Sequence, residues 1–310
     1  MTIEATNTII TLFILAGFGF VLKKLKVTDQ RVDSFISTFL VSYIVPVTMF
    51  HTAFTSFTLE HLKVSWKGVL LVITSMVIVI IISSFTSRLL KHNIKRGGAF
   101  IAMSTFSNTI FVGLPIITGL FGDEGVPYLL LYYMANTVMF WTAGNYLLSR
   151  TKKSSGFSFT VIKKLLNPAI LGFLLGLAAL FMDIAVPDYI IKSTEYLKDM
   201  LTPLSLIYMG SIIGTLTFKN LGNPLDTILI ILFRFAVSPL VVILLFKLVP
   251  MPLLMQKVFI ISAALPVMGQ VSIVSGKYGG DSGFAAFMTA FTTFLSLFTI
   301  PLYFMLFTLL

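Results

Sequence analysis

Apolar runs of about 17–25 residues, the length a helix needs to cross a hydrocarbon core, recur along this chain with most charged side chains in the intervals between them. Ten such runs cover residues 6–22, 32–54, 66–87, 97–120, 125–148, 166–182, 189–214, 225–248, 254–276 and 283–308. Only 11% of residues are charged and the mean hydropathy is +0.98. A soluble chain carries about a quarter charged residues. The pattern therefore predicts an all-α integral membrane protein of ten spans. The first run follows a stretch whose only ionisable side chain is Glu4, without a basic leader or cleavage site, so it reads as a retained span. With no cysteine, disulfides, thiolate metal sites and cysteine nucleophiles are excluded.

A formal charge of +10 would suggest nucleic acid in a soluble protein, but here the placement of the charges reports topology and no nucleic-acid partner is expected. Lys23, Lys24, Lys26 and Arg31 follow the first run, Arg88, Lys91, Lys95 and Arg96 the third, and Arg150, Lys152, Lys153, Lys163 and Lys164 the fifth. With Lys219 and Lys277 these make fifteen cations on one side, against six on the other (Lys63, Lys67, Lys192, Lys198, Lys247, Lys257). The positive-inside rule then puts both termini outside a cell membrane. The polar segment 151–164 divides the chain into residues 1–150 and 165–310, each with five runs. Five is odd, so the second set enters with opposite orientation, and repeats of this kind are inverted. Pro46 and Pro203, and Pro115 and Pro266, fall in corresponding runs.

A proline inside a membrane helix removes one donor and frees a carbonyl, which must then be satisfied by protein, water or a ligand. Paired broken helices point to the binding site of a secondary transporter. Here the pair is Ser107-Asn108-Thr109 with Gly113 and Pro115 in the fourth run, and Pro266 with Gly269-Gln270 in the ninth. Unwinding would expose carbonyls to a cation and amides to an anion. The bland alternative is that small residues there let helices approach closely. Asn108 and Gln270 read as functional, because an amide at mid-membrane depth needs partners.

Arg234 lies in Phe233-Arg234-Phe235, about nine residues or 14 Å from the nearer end of its run, and the runs contain no acidic residue deep enough to neutralise it. It either attracts an anionic substrate, meets carbonyls at helix ends, or clamps the structure; a shift or tilt of its span would let it snorkel instead. Asn136 and Asn145, nine apart in the fifth run, are expected to face one side and to line a path or bridge helices. His51 reads as a solvated end-of-helix histidine. No H-E-x-x-H or P-loop occurs, the three histidines are scattered, and Tyr278-Gly279-Gly280-Asp281 lacks the first glycine of the intramembrane aspartyl protease motif, so neither an enzyme nor a cofactor is expected.

These motifs resemble a family. Asn108-Thr109 with Val112-Gly113-Leu114-Pro115, Asn167-Pro168, Thr202-Pro203-Leu204 with Met209-Gly210, and Leu265-Pro266-Val267 with Lys277-Tyr278-Gly279-Gly280-Asp281 look like the auxin efflux carrier family. That family includes plant PIN-type exporters and bacterial malate or malonate permeases. The resemblance covers essentially the whole chain. It implies ten transmembrane helices in two inverted five-helix repeats, with helices 4 and 9 broken and crossing at Pro115 and Pro266. It also implies a scaffold of spans one, two, six and seven, a homodimer, and a bundle of the remaining spans that moves like an elevator. Gly269-Gln270 departs from the asparagine that many members place after the second proline. Ser107-Asn108 and Val267-Met268-Gly269-Gln270 are also similar to the sodium-binding crossover of bile acid sodium symporters, but the acidic residue those symporters use in span nine is absent. Sodium near Ser107, Asn108 and Gln270, or a proton, remains open as coupling ion.

The expectation is thus a multi-pass transporter of small organic anions, mono- or dicarboxylates, in the lipid bilayer of the cell membrane. Its binding residues would be Ser107, Asn108, Thr109, Gly113, Pro115, Asn136, Arg234, Pro266, Gly269 and Gln270. A sodium-coupled symporter of amphipathic anions is the alternative within transport. A transporter-like membrane sensor, from a different class, would be marked by an appended soluble signalling domain.

Overall fold

The computed structural model describes residues 3–57, 59–150, 168–217 and 222–309; the expected linker 151–164 and Asn167 lie outside them. Among the described residues every regular element is helical, and strand character is confined to one isolated bridge between Ser107 and Val267. In chain order these are α1 (Ile3–Lys24), α2 (Gln30–Thr55), α3 (Leu59–Leu89), α4 (Ile94–Thr105), α5 (109–121), α6 (123–149), α7 (Pro168–Phe181), α8 (Asp188–Asp199), α9 (Leu201–Gly214), α10 (Pro224–Leu248), α11 (Leu253–Ala263), α12 (Gln270–Lys277) and α13 (Ser282–Leu309). α5 and α6 are separated only at Gly122, whose φ of 63° and ψ of −163° end one helix and start the next.

Five described stretches are long and apolar enough to cross a membrane: Gln30–Thr55, Trp66–Leu89, Thr109–Ser149, Pro224–Leu248 and Ser282–Phe307. Other runs are interrupted. Run 97–120 is shared by α4 and α5 around an extended stretch, and run 254–276 by α11 and α12 around residues 264–269. Run 189–214, expected as one span, divides at Met200. α8 carries Asp188, Lys192, Glu195, Lys198 and Asp199 and buries none of its residues, so the apolar part is α9.

Prolines act locally as their chemistry requires. Leu40–Ile44 in α2, Thr109–Gly113 in α5 and Phe233–Val237 in α10 are wide π turns, and each is followed within two residues by a proline, Pro46, Pro115 and Pro239. The ring cannot donate and crowds the carbonyl one turn back, and a π turn relieves that contact by letting one extra residue into the coil.

The described helices form two compact units, each drawing on both halves of the sequence. The first comprises residues 1–66, 110–131 and 165–215. It therefore holds the four spans that the resemblance assigned to a scaffold, with α5 and the start of α6 added. Its helices meet where glycine removes a side chain: Gly19 of α1 lies on the backbone of Ile207, Gly210 of α9 on that of Ala16, and Gly172 of α7 on that of Pro46. At one end of α1, buried Asp33 is paired with Lys23 and accepts from Ser211 Oγ at 2.5 Å.

The second unit comprises residues 67–109, 132–164 and 216–310. Its core is aromatic and aliphatic, with Phe106 set edge-on to Phe140, and Phe100 to Phe233. Asp226, in the first turn of α10, is buried between Arg96 Nε at 2.7 Å and His92 Nε2 at 3.1 Å.

Candidate functional site

Within the second unit, the two interrupted helices meet through their backbones. After α4 ends at Thr105 the chain is extended, and Asn108 N donates to Pro266 O at 2.9 Å while Met268 N donates to Phe106 O at 3.1 Å. These reciprocal bonds form the isolated antiparallel bridge at Ser107 and Val267. A side chain from another helix clamps each strand of it. Asn136 of α6 accepts from Ser107 N at 3.1 Å and donates to Ser107 O at 3.0 Å. Thr292 of α13 accepts from Val267 N at 3.1 Å and donates to Met288 O at 2.6 Å. Backbone groups unpaired in a broken membrane helix cost several kcal/mol each, and these bonds satisfy them.

Arg234 sits at the centre. It is fully buried, placed by the π turn of α10, and its donors reach the C-terminal ends of both half-helices. Nε donates to Leu265 O at 2.9 Å, Nη1 to Thr105 O at 2.8 Å, and Nη2 to Ala263 O at 2.9 Å and to Ser107 Oγ at 2.7 Å. A longer contact from Nη1 to Ser104 O and a short one from Nη2 to Leu265 O complete the set. A guanidinium has five N–H groups in a planar fork, and carbonyls and one hydroxyl occupy them. Among the three roles open to it from sequence, the geometry is that of a cation meeting carbonyls at helix ends. No ion pair involves Arg234 among the described residues.

The remaining expected residues separate into three groups. Asn108 and Gln270 are half-buried, and neither side-chain amide has a hydrogen bond among the described residues, so both are free to meet a ligand. Gly269 is in helical conformation, and a Cβ there would touch only Thr289 Cγ2, at 4.0 Å, so the space beside Gln270 is open. Thr109 is buried and opens α5. Ser107, Asn136 and Arg234 are spent on holding the backbone. Pro266 lies within its break, but Pro115 does not: the fourth run parts at Phe106–Asn108, upstream of the π turn Thr109–Gly113, and Gly113 and Pro115 are buried in the segment that belongs to the first unit. The partner of Pro266 across the crossover is Asn108.

Two expectations about lone polar residues need correction. Asn136 and Asn145 are not in line: nine residues make two and a half α-helical turns, which sets them about 180° apart, and the π turn Phe140–Gly144 between them, by adding a residue, narrows that to about 80°. His51 is not solvated. It is 6% exposed and shares a hydrogen bond of 2.8 Å between Nδ1 and Thr194 Oγ1, tying α2 to α8. Sequence reading missed Tyr132, whose hydroxyl lies 3.4 Å from Ser107 Oγ, and Thr292. Both left a signal: Tyr132 precedes Asn136 by one turn, and Thr292 belongs to the stripe Thr289, Thr292, Thr293, Ser296 along α13.

Residues 4–304 match the family described as membrane transport protein, the auxin efflux carriers to which the crossover motifs pointed. The chain belongs to this family. It is 24% identical to an uncharacterized transporter of Methanothermobacter thermautotrophicus over 308 residues, covering 96% of this chain and 97% of the relative. An uncharacterized transporter of Methanocaldococcus jannaschii is 23% identical over 305 residues, with 96% and 97% covered. Both likenesses run end to end and so take in both units. The chain is a multi-pass membrane protein of a transport family, with no enzymatic role implied by that membership.

Proposed function

We propose that this protein carries small organic anions, mono- or dicarboxylates, across the cell membrane by alternating access of the crossover. Arg234 carries the argument. It is a permanent charge at zero exposure, without a carboxylate partner among the described residues. The carbonyl ends of α4 and α11 contribute about half a negative charge each, so the guanidinium roughly balances them. The helix N-termini that leave the same break, α5 at Thr109 and α12 at Gln270, carry no acidic residue in their first turns. An anion is the ligand that this arrangement favours.

Asn108 and Gln270 then orient the carboxylate or a coupling ion, with the open space at Gly269 beside them. The paired clamps, Asn136 from the fifth span and Thr292 from the tenth, support ten spans arranged as two inverted repeats, since each repeat supplies one clamp from its last helix. In this reading the crossover-bearing unit moves as a body, and the fifteen-to-six bias of cations keeps both termini outside. Uptake into proteoliposomes with a panel of carboxylates, with and without sodium and pH gradients, tests it. Saturable uptake of at least one carboxylate is expected, and the gradient that drives it identifies the coupling ion. Uptake restricted to cations or neutral solutes would overturn the reading.

A further inference from the structure

The first unit contains a cavity of about 320 Å³ bounded by α2, α5, the start of α6 and the junction of α8 and α9. This is the lower end of the size range of small-molecule sites, about 300–1,000 Å³. Its wall carries the hydroxyls of Thr52, Thr118 and Thr202, none hydrogen-bonded to protein among the described residues, and the ammonium of Lys198. Lys198 Nζ donates to Asp123 Oδ2 at 2.8 Å. The two partners are unequally placed. The lysine side chain is 14% exposed and the aspartate 55% exposed, so the cation is the fixed charge of the cavity and the carboxylate its solvent-side cover.

Asp123 is also next to the backbone break at Gly122. With φ at 63° and ψ at −163°, that glycine adopts a conformation open to almost no other residue, and nothing lies within 4 Å of where its Cβ would be. The cover therefore sits at an open backbone turn, and an exposed ion pair holds it with little net free energy. A carboxylate from solution offers Lys198 the same charge and the same bond.

We propose that this cavity is a second anion site, at which a short monocarboxylate displaces Asp123 from Lys198 and accepts hydrogen bonds from the threonine hydroxyls; the assignment rests on the anion-transport reading above. Asp199, on the exposed rim, repels a second negative charge, so monocarboxylates bind better than dicarboxylates. The site is an entry or waiting position in the unit that does not hold the crossover.

The absence of native cysteine makes the test clean. In purified full-length protein in nanodiscs, Thr48→Cys, at a lining position whose hydroxyl is already spent on Ile44 O, is labelled with a thiol reagent while propionate or malonate is titrated. Propionate slows labelling, and malonate does so at higher concentration. Lys198→Gln raises the half-protecting propionate concentration about tenfold, the loss of one charge-assisted hydrogen bond; Asp123→Asn lowers it, and Lys198→Arg, which keeps the charge, retains protection. Protection unaffected by Lys198→Gln in protein that elutes as a folded species, or no protection at all, would overturn the site. Propionate uptake by the same reconstituted protein separates the two readings. Carboxylate uptake without protection sinks the cavity site alone, and protection without uptake of any carboxylate sinks the transport reading alone.

Discussion

The two compact units differ in the contact that dominates each, although Gly98 of α4 lies on the backbone of Leu147 in the second and Asp33 bonds Ser211 in the first. In the first, glycines bring backbone onto backbone, at Gly19 and Gly210 between α1 and α9 and at Gly172 and Gly176 between α2 and α7. In the second, a single guanidinium joins the ends of two interrupted helices, and side chains clamp the strands between them. Lipid tails are as apolar as leucine, so helices in a membrane gain nothing from hydrophobic burial against each other and depend on close contact or on polar bonds. Close contact leaves no polar group along the seam it makes. Polar bonding brings unsatisfied groups to mid-membrane depth, and whichever of them protein does not use can be offered to a ligand.

The strongest way to break this contrast is Arg234→Met. It strands the carbonyls of Thr105, Ala263 and Leu265 and the Ser107 hydroxyl, and should cost about 3–5 kcal/mol, as removing one partner of a buried charge does. Thermal unfolding of the purified protein reads the loss, and Arg234→Lys should recover only part of it, because an ammonium lacks the planar fork. A methionine variant as stable as the parent would show that the second unit does not depend on its central cation.

Next in size is the first unit's packing. Gly210→Val drives a side chain into the backbone of Ala16 and Phe20 and should destabilise by about 1–3 kcal/mol. Gly17, on the same helix as Gly19, has nothing within 4 Å of its Cβ position, so Gly17→Ala should be neutral or stabilising by up to about 1 kcal/mol. Equal effects at the two glycines would remove the distinction between packing glycines and incidental ones.

Smaller effects are expected at the clamps. Asn136→Leu removes two bonds to Ser107 and Thr292→Val one bond to Val267, at about 1–2 kcal/mol per bond lost at most. The ratio of the two sharpens the comparison, since it reports whether both strands of the crossover are held alike. The smallest stability effects should come at Asn108→Leu and Gln270→Leu, within about 0.5 kcal/mol of the parent, because neither side-chain amide has a hydrogen-bond partner among the described residues. Transport, in contrast, should be abolished by both. If Gln270→Leu transports normally, binding lies with the fourth span and its neighbours, and the two-sided site is wrong.

Much of this was legible in the residues themselves. The interruption of the fourth and ninth runs and the family both followed from motifs a few residues long. The alternatives for Arg234 included its observed carbonyl partners, but local sequence held nothing to choose among them. The position of the fourth break was misjudged because Pro115 looked like its cause, when that proline instead widens the turn after the break. The expected shared face of Asn136 and Asn145 failed because nine residues span two and a half turns, half a turn out of line, and the extra residue at Phe140–Gly144, which recovers part of that offset, is not written in the local sequence.

What the sequence by itself determined is the environment, the helical class, the approximate spans and the family. Transfer of side chains into hydrocarbon is local and sums along a run, so composition and run length suffice to read it. What only the tertiary structure decided is which polar groups are spent and which are left over. Arg234 finds its acceptors about 30 residues away at Ala263 and Leu265 and 129 residues away at Thr105, and Ser107 meets Asn136 from another helix. Hydrogen bonds are short-ranged and directional, so their partners are set by how distant segments come to lie side by side, which no local property of the chain encodes.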